Sequence, residues 1–171
     1  MATILPDTKT PALSLPLTDG GTFTLNGPAP ENFTMLVFYR GHHCPVCKSY
    51  LEGLNGIVDD YRAAGFAVAA ISMNDEETAK TSAAEWDVGK IPVAYGLTED
   101  QARAWGLYIS RSIKDGEADV FCEPGMFWVR PDGRLYMVDI SNMPWARPDL
   151  AFLLTKIPMA VEKGYPARGN T

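Results

Sequence analysis

The stretch Phe33-Thr34-Met35-Leu36-Val37-Phe38-Tyr39-Arg40-Gly41-His42-His43-Cys44-Pro45-Val46-Cys47 carries most of what the chain discloses about its fold. Phe33 to Tyr39 is nearly all apolar and rich in β-formers, the pattern of a strand buried on both faces. Arg40 to His43 reads as a loop, and Cys44-Pro45 opens a helix. Proline is favoured at the first helical position, where its missing N–H costs nothing. Cys47, Leu51, Leu54, Val58 and Tyr61 then keep helical spacing until Gly65 stops the run.

Upstream, Leu13 to Leu17 alternates at period two. Asp19-Gly20-Gly21 then turns into Thr22-Phe23-Thr24-Leu25, which predicts a small N-terminal hairpin. Downstream, Phe66 to Ser72 is a second short buried strand. Asp75 to Trp86 predicts a helix with acidic residues in its first turn, where the dipole favours them. Ile91 to Tyr95 predicts a short strand. Thr98 to Trp105 predicts a short helix capped by Thr98, with Gln101 three residues on.

Phe127-Trp128-Val129, the turn Pro131-Asp132-Gly133 and Leu135 to Ile140 predict another hairpin. A last helix from Pro148-Asp149 places Leu150, Leu153, Leu154, Ile157 and Val161 on one face, with a kink expected at Pro158. Strands alternating with helices and ending in a hairpin plus helix imply an α/β sandwich, with a central mixed sheet flanked by helices.

The whole chain, 1–171, fits one domain. Hydrophobic residues make up 46% and charged residues 21%, so a packed core is expected and a disordered or fibrous protein is excluded. The net charge of −6 argues against nucleic acid as a partner, because phosphate binding needs clustered positive charge. No apolar run approaches the roughly 18–20 residues of a membrane span. Met1 to Asp7 lacks a basic region and an apolar core, so no secretory signal is expected. Three cysteines are too few and too odd in number for a secreted disulfide scaffold. A soluble, cytoplasmic protein in a reducing compartment is the expectation.

Two of those cysteines form Cys44-Pro45-Val46-Cys47. At this spacing they lie on adjacent turns of one helix face, and the first sits where unpaired N–H groups and the macrodipole stabilise an anion. Lowering a thiol pKa from about 8.5 to about 7 takes roughly 2 kcal/mol, within reach of a helix end plus nearby cations. Arg40 carries such a charge, and His42 and His43 do so when protonated. Cys44 is thus the expected nucleophile, with Cys47 the thiol that closes a short disulfide. Gly41, His42, Pro45 and Pro124 line the expected substrate side of the pair.

A metal-binding or redox-sensing module is the rival reading, since His42, His43, Cys44 and Cys47 are zinc or copper ligand types. Adjacent histidines usually point apart, however, and only Cys122 remains to complete a set. Neither a metal nor a cofactor is therefore assigned. Cys122 itself reads as a buried structural thiol. Trp105, Met143, Pro144 and Trp145 read as core or loop packing, with Met143-Pro144-Trp145 a second possibility as a homodimer contact.

Phe38-Tyr39-Arg40-Gly41-His42-His43-Cys44-Pro45-Val46-Cys47, between a strand and a helix, resembles the peroxiredoxin-like branch of the thioredoxin superfamily. This group is also described as alkyl hydroperoxide reductase/thiol-specific antioxidant domains. The resemblance extends over Ala69-Ala70-Ile71-Ser72 and over Phe127 to Leu135, and so covers the chain from about Leu13 to the last helix. It implies a thioredoxin-like fold in which Cys44 attacks a hydroperoxide, Cys47 condenses with the resulting sulfenic acid, and a thioredoxin- or glutaredoxin-like dithiol reduces the disulfide.

Three positions depart from the family pattern. Val37 and Gly41 stand where the resemblance implies a Pro and a Thr or Ser. Pro124 stands where it implies a second arginine. A thioredoxin-type protein disulfide reductase is the alternative, because disulfide exchange needs no peroxide-positioning hydroxyl. In thioredoxin-like folds the loop holding Glu123-Pro124-Gly125 faces the cysteines, often through a cis-proline; an ordinary turn proline is equally compatible.

Overall fold

The computed structural model describes residues 4–171. The first three residues of the Met1–Asp7 stretch lie outside the described residues. The chain runs β1 (Ser14–Pro16), β2 (Thr22–Thr24), β3 (Phe33–Phe38), α1 (Pro45–Ala63), β4 (Phe66–Ile71), α2 (Glu76–Glu85) and β5 (Val93–Ala94). It continues through α3 (Glu99–Ala104), β6 (Ile109–Arg111), β7 (Val120–Cys122), β8 (Gly125–Val129), β9 (Leu135–Ile140), α4 (Leu150–Leu154) and α5 (Ile157–Val161). The central sheet has the order β5-β4-β3-β8-β9. β3, β4 and β5 are parallel, while β8 and β9 run antiparallel to their neighbours. It is the mixed sheet of a thioredoxin-like sandwich, with the expected N-terminal hairpin formed by β1 and β2.

β3 is the central strand, and all six of its residues are buried. Its side chains alternate between two cores, as strand geometry requires. Phe33, Met35 and Val37 join the core beneath α1, with Leu51, Leu54, Val58, Tyr61 and Trp128. Leu36 and Phe38 join the opposite core, with Trp105, Leu107 and Phe127. Cys44 and Cys47 belong to the first core and Cys122 to the second. The sheet therefore separates the third cysteine from the pair.

α1 begins as the sequence predicts, with Pro45 in its first turn and Cys44 as its N-cap. Gly65 follows it at φ +84°, the left-handed conformation that ends helices. Tyr61 on its buried face donates a hydrogen bond to the Leu150 carbonyl at 2.6 Å, fixing α4 against it. α3 closes the predicted Thr98–Gln101 capping box.

Two features were not foreseen, and one choice left open by the sequence is decided. The segment after α3, for which the sequence offers no strong pattern, forms a second small hairpin, β6 with β7. The last helix is two helices, α4 and α5, broken ahead of Pro158. A proline ring clashes with the carbonyl four residues earlier, here Leu154, so the first helix stops there; Pro158 then sits without cost in the first turn of the next. The peptide preceding Pro124 is trans, so the ordinary-turn alternative holds. Among the described residues, no helix is long and apolar enough to cross a membrane.

Candidate active site

The end of β3 delivers Arg40 to His43 over the N-terminus of α1, and the two cysteines follow on its first turn. Cys44 and Cys47 are joined as a disulfide, with Cα atoms 5.2 Å apart, so each sulfur here represents the oxidised, neutral state. Both residues are buried, at 3% and 0% exposure. The Cys47 backbone N–H donates to Cys44 Sγ at 3.2 Å. A sulfur thus fills the capping role usually taken by a Ser or Asp oxygen.

Gly41 has φ +132°, and a Cβ on it would lie 2.6 Å from Asn74 Nδ2. Asn74 is buried, and its Oδ1 accepts the His42 backbone N–H at 2.9 Å. The carboxamide of Asn74 therefore fills the space that a larger residue 41 would need. The loop is closed further by the Cys44 N–H, which donates to the Gly41 carbonyl at 3.2 Å.

The two histidines part company. His42 Nδ1 lies 2.9 Å from Ser82 Oγ, and the ring stacks on Trp86 at 5.9 Å. His43 meets the edge of Phe121 at 4.6 Å, and its Nε2 is buried without a partner. Burial holds His43 below its ordinary value, with Glu117 opposing and Arg40 reinforcing the shift. At neutral pH it is an uncharged ring. No group of three His, Cys, Asp or Glu side chains is arranged to hold a metal ion among the described residues.

Arg40 is engaged by Glu123, at 2.7 Å from Nε and 2.9 Å from Nη2. Its guanidinium also lies over Phe121, 5.3 Å from the ring centre. Pro124 borders a small cavity with Val37, Tyr50, Met126, Asp139 and Arg147. The cavity measures about 10 Å³, room for a single water-sized molecule.

Arg147 is the residue that the sequence does not disclose. It lies in the loop between β9 and α4, yet its Nη2 donates to Cys47 Sγ at 3.0 Å. Nη1 donates to the Pro144 carbonyl at 2.8 Å, and the guanidinium lies 4.9 Å from the centre of the Tyr50 ring. Burial pulls its pKa down to about 10, so it remains charged at neutral pH. The only local hint is a cation placed just before Pro148-Asp149 at a helix start.

A sulfur-capped helix following the central strand of such a sandwich, with its two thiols paired, defines a thiol oxidoreductase with a thioredoxin-like architecture. The chain belongs to the AhpC/TSA family, whose profile matches residues 6–138. No curated protein matches it in sequence. Among solved structures it is similar to Mycobacterium bovis AhpC, with TM-score 0.76, 15% identity, and 100% of this chain and 99% of that one covered. The peroxiredoxin-like protein from Aquifex aeolicus gives TM-score 0.75 and 15% identity, covering 94% of this chain and 90% of that one. Peroxidoxin BcpB from Mycobacterium tuberculosis gives TM-score 0.70 and 16% identity, covering 92% and 98%. At such identities these likenesses speak for the fold; the family match and the Cys44–Cys47 disulfide speak for thiol-dependent peroxidase chemistry.

Proposed function

We propose that the Cys44 thiolate attacks the O–O bond of a hydroperoxide, forming a Cys44 sulfenic acid and releasing an alkoxide that takes up a proton to leave as the alcohol. For hydrogen peroxide the released product is water. The Cys47 thiolate then attacks the Cys44 sulfur, displacing hydroxide and forming the disulfide. A dithiol reductant of the thioredoxin or glutaredoxin type restores both thiols and is itself oxidised. The observation carrying this assignment is the Cys44 sulfur at the N-cap of α1, accepting the Cys47 N–H. An anion there gains from the helix terminus, whereas Cys47 lies one turn deeper.

Gly41, His42 and Pro45 form the substrate side through the backbone of the α1 loop, and Pro124 borders the adjacent cavity. Arg40 and His43 shape the same end: Arg40 as the partly exposed half of an ion pair with the buried Glu123, His43 as a neutral ring. A cytoplasmic setting fits Cys122 being free. Trp145, 70% exposed, and the exposed Met143 offer a contact for a homodimer.

A second reading, disulfide exchange without peroxide, is favoured by the Gly41–Asn74 packing, which leaves no hydroxyl at that position. One experiment separates the two. The reduced protein and its Cys47→Ser variant are treated with one equivalent of hydrogen peroxide and followed by intact mass. The peroxidase reading expects a rapid internal disulfide in the first and a single added oxygen in the second. No reaction with peroxide, together with turnover of insulin disulfides, would overturn it.

A further inference from the structure

Arg147 lies beyond the residues matched by the family profile, 6–138, and reaches Cys47 across 100 positions of sequence. Its contact is selective: Nη2 donates to the sulfur of Cys47, the second cysteine. The guanidinium is held from two further sides by the Pro144 carbonyl and the face of Tyr50. An arginine so fixed is a preorganised cation aimed at one sulfur.

The value of that contact changes with redox state. A disulfide sulfur is neutral and a weak acceptor, whereas a thiolate carries a full charge. The same guanidinium therefore stabilises the reduced pair more than the oxidised one. We propose that Arg147 is a catalytic residue that stabilises Cys47 as a thiolate in the two steps in which Cys47, not Cys44, carries the charge. This rests on the Cys44–Cys47 pair being the redox centre. In the resolving step the Cys47 thiolate forms the S–S bond as hydroxide leaves the Cys44 sulfenic acid. When a reductant thiolate attacks Cys44, the electron pair of the broken S–S bond returns to Cys47, beside the same cation.

The surroundings do not supply this charge from another source. Of the other groups electrostatically coupled to Arg147, Arg40 is engaged by Glu123, and Tyr50 and Cys122 are held neutral by burial. Asp139, on the wall of the same small cavity, is raised by desolvation. Cys44 competes for ionisation, so the two thiols titrate as a coupled pair.

The test measures two quantities that need no peroxide. The disulfide is equilibrated with dithiothreitol mixtures in the wild type, Arg147→Met and Arg147→Lys, and the thiol fraction is read by alkylation and mass. Arg147→Met is expected to shift the equilibrium about tenfold toward the disulfide, or about 30 mV more negative for this two-electron couple. Arg147→Lys should recover part of that shift. In a Cys44→Ser background, the pH profile of Cys47 alkylation should move up by about one unit on Arg147→Met. Unchanged potential and unchanged profile in the folded Met variant would overturn the proposal, leaving Arg147 as packing on Tyr50. Should the wild type fail to react with peroxide while both shifts appear, the peroxidase reading falls and this one stands.

Discussion

Arg40 and Glu123 grip each other through two parallel hydrogen bonds, Nε to Oε2 at 2.7 Å and Nη2 to Oε1 at 2.9 Å. The Glu123 side chain is only 3% exposed. The same carboxylate accepts the Ser110 hydroxyl at 2.6 Å. One residue thereby ties the loop carrying the cysteines to both strands of the β6–β7 hairpin. A lone buried carboxylate near the thiols would oppose a second anion; paired, it does not.

Removing one partner of such a pair leaves the other desolvated and unmatched. Arg40→Met is expected to destabilise the protein by about 3 kcal/mol, because the Glu123 carboxylate is left desolvated without its guanidinium partner. The double variant Arg40→Met, Glu123→Leu should recover much of that loss. Urea unfolding of the wild type, the single variants and the double variant completes the cycle; additive losses would contradict the pairing.

Putting a hydroxyl back at position 41 should not help. Gly41→Thr meets the Asn74 carboxamide and forces a β-branched residue into φ +132°. A loss of about 3 kcal/mol is expected from overlap and backbone strain together, with no gain in the rate of peroxide consumption. Adding Asn74→Ala relieves the overlap but not the backbone, so recovery should be partial. Thermal melts and single-turnover kinetics measure both.

His43 sets an acid-side sensitivity. Its value is lowered by burial, so the unfolded chain binds the proton more readily than the native one. The stability it contributes is therefore full above about pH 6.5, falls as pH drops below that, and levels off below the folded-state value. His43→Phe should flatten this part of the profile. Urea midpoints at about pH 7.5 and about pH 5 compare the two proteins; equal slopes would contradict the assignment.

Cys122 should be silent in the native state. Burial pushes its thiol up to about 12, and the sheet lies between it and the other two sulfurs. Iodoacetamide treatment of the fully reduced, folded protein should label the N-cap Cys44 and leave Cys122 untouched, with Cys122 joining only in denaturant. Peptide mass mapping decides this.

What the sequence disclosed was local. The β3 strand, the Pro45 start of α1 and the Thr98 capping box are each written within a few consecutive residues, where periodicity and capping chemistry act. The β6–β7 hairpin was not legible because its short strands, Ile109–Arg111 and Val120–Cys122, are joined by the long connection 112–119 rather than by the tight glycine turn that marked β1 and β2. The break between α4 and α5 was half legible. Pro158 signalled it, but the stripe of apolar positions continues in phase across it. Arg147 reaches Cys47 from 100 positions away, and only the folded sheet brings it there; the Glu123 loop was expected at the cysteines, but its pairing with Arg40 across 83 positions was not. His43 was visible as a residue but not as a charge state, because burial against Phe121 is a tertiary fact.

The sulfur cap on α1 has a practical consequence. The proton on the Cys47 backbone nitrogen points at Cys44 Sγ, so whatever becomes bonded to that atom alters the magnetic surroundings of the proton. Thiolate, sulfenate and disulfide should each give this one amide a different resonance and a different rate of solvent exchange. In a nitrogen-labelled sample it would record the chemistry at its neighbour without any chemical probe, as a reporter already built into the backbone.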